Sequence, residues 1–276
     1  MLSKEQVTHF ETFGFLVLRN VLSRDEVDIM IKESEEIFSE LRQGKPFTAQ
    51  EREAVQPFFE RKPFLHSLLA DDRIYSIGES ILGSDFMLVV TEGNLHVGDT
   101  PWHAGEEARV LRTVKIGFYL EPLTINTGSL RVIPGTHKIS SPDYFSILKT
   151  ANKNSDFMPF GVSPKEIPSY PIQSDPGDLI VFTESVVHAA FGGRDGRHQH
   201  AINFCEYPKS EELIAFTKDW YSRTVNIFRP PISNINSDNA RLRRMSEGWL
   251  QLGFEPVNTW NSKPYFEHGI YCLTHF

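Results

Sequence analysis

Between residues 85 and 207 the chain alternates short apolar runs with turn signals, and this alternation restricts its possible folds more than any other feature. Residues 85–97, 112–120, 130–133, 179–182 and 201–207 are rich in branched and aromatic side chains. Between them stand Asn126-Thr127-Gly128, Pro134-Gly135, Asp175-Pro176-Gly177-Asp178 and Gly192-Gly193-Arg194-Asp195-Gly196. Short strands of this kind bury their apolar faces by stacking one sheet on another, and helical patterns gather at both ends of the chain. The pattern therefore predicts a mainly β fold with helical decoration (α+β): a double-sheet jelly roll core with N- and C-terminal helices. A chain of 276 residues, 40% hydrophobic, can bury such a core as a single domain over residues 1–276, and no internal repeat is present.

The flanking helices have their own signals. Ser3 with Gln6 reads as a capping box opening a short helix that Gly14 ends, followed by a β-type run at 15–18. Ser23 with Glu26 is a second capping box, and Val27, Ile31, Ile37, Phe38 and Leu41 follow at helical spacing. Residues 44–62 have no period and are expected to form a lid-like loop or an insertion. A helix is predicted over 63–82, with Pro63 in its first turn, and two more over 211–223 and 240–252.

A formal charge of −8 argues against a general nucleic-acid binder. Two cysteines, Cys205 and Cys272, are too few for a disulfide framework. The N-terminus lacks the apolar core of a signal peptide, and no apolar run is long enough to span a bilayer. These features lead to the expectation of a cytoplasmic protein with a small-molecule substrate, no nucleic acid and no membrane.

The chemistry gathers around Trp102-His103-Ala104-Gly105 and, far downstream, His188 and Arg197. Each histidine follows a strand and precedes small residues, which leave room around a metal. Two histidines and then an arginine suggest a non-haem iron site with an anchored keto acid, the arginine pairing with a distal carboxylate through two parallel hydrogen bonds. Taken singly, His103 could be a loop histidine packed on Trp102, and His188 a core histidine satisfied by backbone. Arg194 is the alternative anchor. Asn94, Lys115 and Tyr119 are weaker candidates for contacts to the cosubstrate, Lys115 and Tyr119 sharing one strand face. His137 and His96 are expected to be structural or supporting, and His198 and His200 surface or edge residues. In the usual iron site a carboxylate stands two residues after the first histidine; here that residue is Gly105.

Four stretches together resemble the phytanoyl-CoA dioxygenase family: Glu-Gly-Asn-Leu-His-Val-Gly-Asp-Thr-Pro-Trp-His ending at His103, Leu-Glu-Pro-Leu-Thr from Leu120 with Thr-Gly-Ser-Leu-Arg-Val-Ile-Pro-Gly-Thr-His ending at His137, Pro-Gly-Asp-Leu-Ile-Val-Phe ending at Phe182, and His-Ala-Ala-Phe-Gly-Gly from His188. The resemblance implies a double-stranded β-helix (a cupin-like jelly roll), with Fe(II), 2-oxoglutarate and O2. It implies that His103 and His188 hold the iron and that Arg197 grips 2-oxoglutarate. The family's iron-binding Asp falls at Gly105. In related halogenases a small residue at that position makes room for chloride, so the first expectation is chlorination of an unactivated C–H bond. A hydroxylase in which Gly replaces Asp is the second, and a carboxylate shifted to Glu106 or Glu107 the third. A non-catalytic jelly-roll binding module is the reading from another class. Arg109 and Arg112 could meet an anionic group on the substrate or be solvated charges, and the 44–62 segment and C-terminal helices are expected to border the pocket.

Overall fold

In the computed structural model, residues 1–105, 107–139, 146–148, 150, 158–224, 230–256 and 265–266 are described. The helices are α1 (Lys4–Phe13), α2 (Arg24–Leu41), α3 (Pro63–Leu68), α4 (Asp72–Leu82), α5 (Glu211–Thr224), α6 (Ile232–Ile235) and α7 (Ala240–Gln251). The strands are β1 (Phe15–Leu18), β2 (Glu53–Val55), β3 (Phe86–His96), β4 (Thr100–His103), β5 (Thr113–Tyr119) and β6 (Leu130–Val132). They continue with β7 (Tyr170–Ile172), β8 (Leu179–Phe182), β9 (His188–Ala190), β10 (Arg197–Glu206) and β11 (Tyr265–Phe266).

Among the described residues the strands form two antiparallel sheets, a seven-stranded one in the order β1-β8-β5-β10-β3-β2-β11 and a four-stranded one in the order β4-β9-β6-β7. This is the jelly roll with helical decoration that the strand pattern predicts. Val114, Ile116 and Phe118 of β5 face the helices, in one cluster with Met30 and Phe38 of α2 and Ile74 of α4. Tyr119, on the alternate face, joins Leu130, Val132 and Ile172 of the smaller sheet. That inner face is unusually polar: Glu92, Asn94, His96, Arg197, Gln199 and Asn203 are all buried along β3 and β10.

Both capping boxes form as read, at Ser3–Gln6 and Ser23–Glu26, and Gly14 closes α1 at φ 83°. The helix expected over 63–82 is two helices, because the Asp71 side chain accepts from Arg73 N–H and opens α4 afresh. Residues 44–62 are not a free loop: β2 within them pairs with β3 and extends the large sheet. The C-terminal helices cover the Met87–Cys205 end of the inner face, where Tyr221 stacks on Trp249 at 3.9 Å. No helix among the described residues is long and apolar enough to cross a membrane.

Candidate functional site

β4 and β9 are paired so that His103 lies opposite His188. Alternation sends Trp102 and Ala189 outward to a separate cluster with Phe191, and turns both imidazoles toward each other, centroids 4.0 Å apart. His103 is thus a strand-end residue facing its partner, not a loop residue packed on Trp102. Each Nδ1 lies 2.8 Å from the carbonyl oxygen two residues earlier, Pro101 for His103 and Val186 for His188. Because a carbonyl only accepts, the proton sits on Nδ1 and each Nε2 keeps its lone pair. Burial pushes the His103 pKa down to about 4, and burial with His103 alongside holds His188 well below the usual 6.5. Two neutral imidazoles with their lone pairs on Nε2 suit a divalent transition metal.

Gly105 follows β4, and its N–H donates to the Glu184 carbonyl at 2.7 Å. A β-carbon at Gly105 would lie 3.1 Å from Cβ of Glu184. Among the described residues no three His, Cys, Asp or Glu side chains are grouped to hold a metal ion. Glu106 and the side chain of Glu107, the shifted-carboxylate alternatives, lie outside the described residues.

Arg197 opens β10 opposite His96 on β3. It is 1% exposed, and its Nε and Nη1 meet no acceptor among the described residues. Two glycines make its slot: a β-carbon at Gly128 or Gly193 would lie 1.7 Å from Nη1. Burial lowers the Arg197 pKa, against the opposing pull of Tyr119, Glu121 and Asp99. A guanidinium stays charged under such a shift, and burying polar N–H groups unpaired costs about 1–3 kcal/mol, more for a charged group. Such a slot fits a carboxylate ligand. Arg194, the alternative anchor, is 71% exposed and stands 3.6 Å from Glu121 at the rim.

Between these ends, Lys115 Nζ lies 3.0 and 3.1 Å from the two oxygens of Glu92, which also accepts from Asn203 at 2.8 Å. Burial would raise the Glu92 pKa, but Lys115, Arg52 and Asn203 outweigh it and hold the carboxyl below its ordinary value. Asn94 donates to Gln199 at 2.9 Å and accepts from Arg52 at 2.7 Å. Through Asn94, Arg52 of the 44–62 segment enters the inner face. Tyr119 lies on the same face, where burial raises its pKa and the charges of Arg197, Lys115 and Arg52 oppose the rise.

The sequence pattern of the phytanoyl-CoA dioxygenase family (PhyH) matches residues 10–199, more than half of the chain. The chain belongs to this family. It is 26% identical over 154 residues to an ectoine dioxygenase of Bordetella bronchiseptica, the match covering 50% of this chain and 50% of that protein. The chain thus spans about half the length of that relative. It is 23% identical over 284 residues to the phytanoyl-CoA dioxygenase domain-containing protein 1 homolog of Dictyostelium discoideum, covering 83% of this chain and 99% of that protein. Among solved structures, HygX from Streptomyces hygroscopicus with nickel and 2-oxoglutarate bound superposes with a TM-score of 0.60 at 19% identity, covering 75% of this chain and 88% of that one. This last likeness supports the fold.

Several expectations need correction. Arg109 donates to the carbonyl oxygens of Ile139 at 2.7 Å and Ser185 at 3.0 Å, so it ties loops together. Arg112, half-exposed and paired with Glu11, fits the reading of a solvated charge. His200 is not an edge residue: β10 is central in its sheet, and the ring is fully buried 4.5 Å from Phe58. His198 bridges Glu121 at 2.6 Å and Glu35 at 3.0 Å. Burial would lower its pKa, but the two carboxylates raise it. His137 lies 3.2 Å from the Glu11 carbonyl and against Gly14, a structural role as read. Sequence reasoning missed Gly128 and Gly193 as a slot, seeing only turns, and missed Glu92, whose signal was a carboxylate inside an apolar strand. Arg52 carried no signal at all.

Proposed function

We propose that the chain is an Fe(II)- and 2-oxoglutarate-dependent oxygenase that oxidises a C–H bond of a small molecule, with hydroxylation as the outcome, working as one domain. The observation that carries this reading is the buried Arg197 guanidinium, unpaired in its glycine slot on the inner face of the large sheet, while the neutral His103–His188 pair stands on the small sheet with His188 against Phe182 of the large one. His103 and His188 would hold the metal through Nε2, their Nδ1–H groups fixed by Pro101 and Val186. Arg197 would pair with the distal carboxylate of 2-oxoglutarate, with Tyr119 beside it and Asn94 and Lys115 lining the path between. When bound, iron and 2-oxoglutarate supply, with O2, the oxidising power that breaks the substrate C–H bond, the keto acid leaving as succinate and carbon dioxide. The chain's own residues position the cosubstrate, keep the imidazoles neutral and exclude bulk water with the inner apolar cluster around Phe182 and Val186.

A second reading, chlorination, is favoured by one observation: residue 105 brings no carboxylate to the site, so chloride could take that place. The two outcomes separate by product. Protein reconstituted anaerobically with Fe(II), then given 2-oxoglutarate, O2, chloride and a panel of small molecules, is expected to form succinate and a product 16 mass units heavier (about one oxygen atom). A product with the chlorine isotope pattern supports the second reading. No bound iron and no succinate would point instead to a non-catalytic binding module.

A further inference from the structure

Gly105 and Glu184 occupy adjoining places on the two segments that carry the histidines. The loop after β4 is held to the turn before β9 by the Gly105 N–H to Glu184 carbonyl bond at 2.7 Å. A side chain at 105 would start 3.1 Å from Cβ of Glu184. No positive φ bars an L-residue from position 105, so the crowding comes from Glu184 itself. A side chain at 105 and that of Glu184 would start from adjoining points, and this sequence places a carboxylate only on the His188 side.

We propose that Glu184 supplies the metal-binding carboxylate that Gly105 omits, an inference that rests on the iron-dependent reading above. In the structure the Glu184 carboxylate leans on Lys115 at 3.4 Å, and its side chain is 29% exposed. Lys115 already has both oxygens of the buried Glu92 at 3.0 and 3.1 Å, so Glu184 is its longer and looser partner. Glu184 is bonded to the segment of His103 through Gly105 and stands in the turn that leads into His188, so its side chain starts from the backbone that carries both imidazoles. Redirecting Glu184 is a rotation about its side-chain bonds that exchanges the long Lys115 ion pair for a divalent cation. Glu92 keeps Lys115 neutralised throughout. Glu184 lies four residues before His188, so the two donors would come from a single turn-and-strand segment.

Anaerobic titration with Co(II), read by calorimetry and by visible absorption, tests this without turnover. Glu184→Gln, nearly isosteric, is expected to weaken Co(II) binding at least about tenfold, a loss typical even of outer-sphere partners, and to change the spectrum. Gly105→Asp in a Glu184→Gly background, which removes the crowding β-carbon as well as the carboxylate, is expected to restore affinity. Chloride is expected to leave the wild-type spectrum unchanged and to alter that of Glu184→Gln. Glu184→Ala, with thermal unfolding measured for both variants, separates ligand loss from misfolding. If Glu184→Gln binds Co(II) with wild-type affinity and spectrum while His188→Ala loses binding, Glu184 is no ligand and the iron site stands without it. A chloride response in wild type that Glu184→Gln leaves unaltered also overturns the proposal and favours chlorination. If wild type binds no Co(II), the functional reading fails together with this one.

Discussion

At the Arg197 end of the inner face, the guanidinium lies in a slot shaped by Gly128 and Gly193, its Nε and Nη1 without an acceptor among the described residues. At the histidine end, two imidazoles are oriented by backbone carbonyls, but the described residues complete no set of three. One end has its slot and its unpaired donors in place. The other has its orientation fixed while its composition awaits a further donor. The difference follows from the parts: a planar charged group needs a cradle built around it, whereas a neutral imidazole needs only one backbone acceptor behind it.

This contrast can be broken most directly at the anchor. Arg197→Ala is expected to weaken 2-oxoglutarate binding by about 2–5 kcal/mol, the usual loss when one partner of a buried charge pair is removed, while Co(II) affinity stays near wild type. Calorimetry with each ligand checks both halves, and equal losses for the two would erase the distinction.

A smaller effect should mark the histidine end alone. In the unfolded chain His103 would take a proton near its ordinary 6.5, whereas burial holds the folded residue neutral down to about 4. The unfolded state therefore binds more protons between those values, so stability is complete above about pH 6.5 and falls as pH drops toward about 4. Thermal unfolding across that range should show the decline, and His103→Asn should make it shallower while the buried His188, His96 and His200 keep the rest. A slope unchanged in the variant would place the titration elsewhere.

The smallest change is expected at the rim. Arg194→Ala, which removes an exposed group, should alter 2-oxoglutarate binding by less than about 0.5 kcal/mol. A loss matching that of Arg197→Ala would exchange the roles of the two arginines.

Much of the fold was legible because its signals are local. Capping boxes at Ser3 and Ser23 act within one helical turn, and alternation along β5 separates Val114, Ile116 and Phe118 from Lys115 and Tyr119 whatever the neighbours are. The break at Asp71 was less visible, since one cap within a long apolar stretch competes with a continuous helical period. β2 was hidden because three residues carry too little pattern until β3 lies beside them.

The sequence alone determined the order of histidine, histidine and arginine, the glycine at 105, and the family to which the chain belongs. Only the tertiary structure decided that His103 faces His188 across a strand pair, that Arg109 is consumed by carbonyl oxygens, and that Arg52 and Glu92 enter the inner face. It also put Glu184 against Gly105. The physical reason is distance along the chain: which side chains share a buried space depends on sheet register and loop closure between remote segments, and no local propensity encodes these.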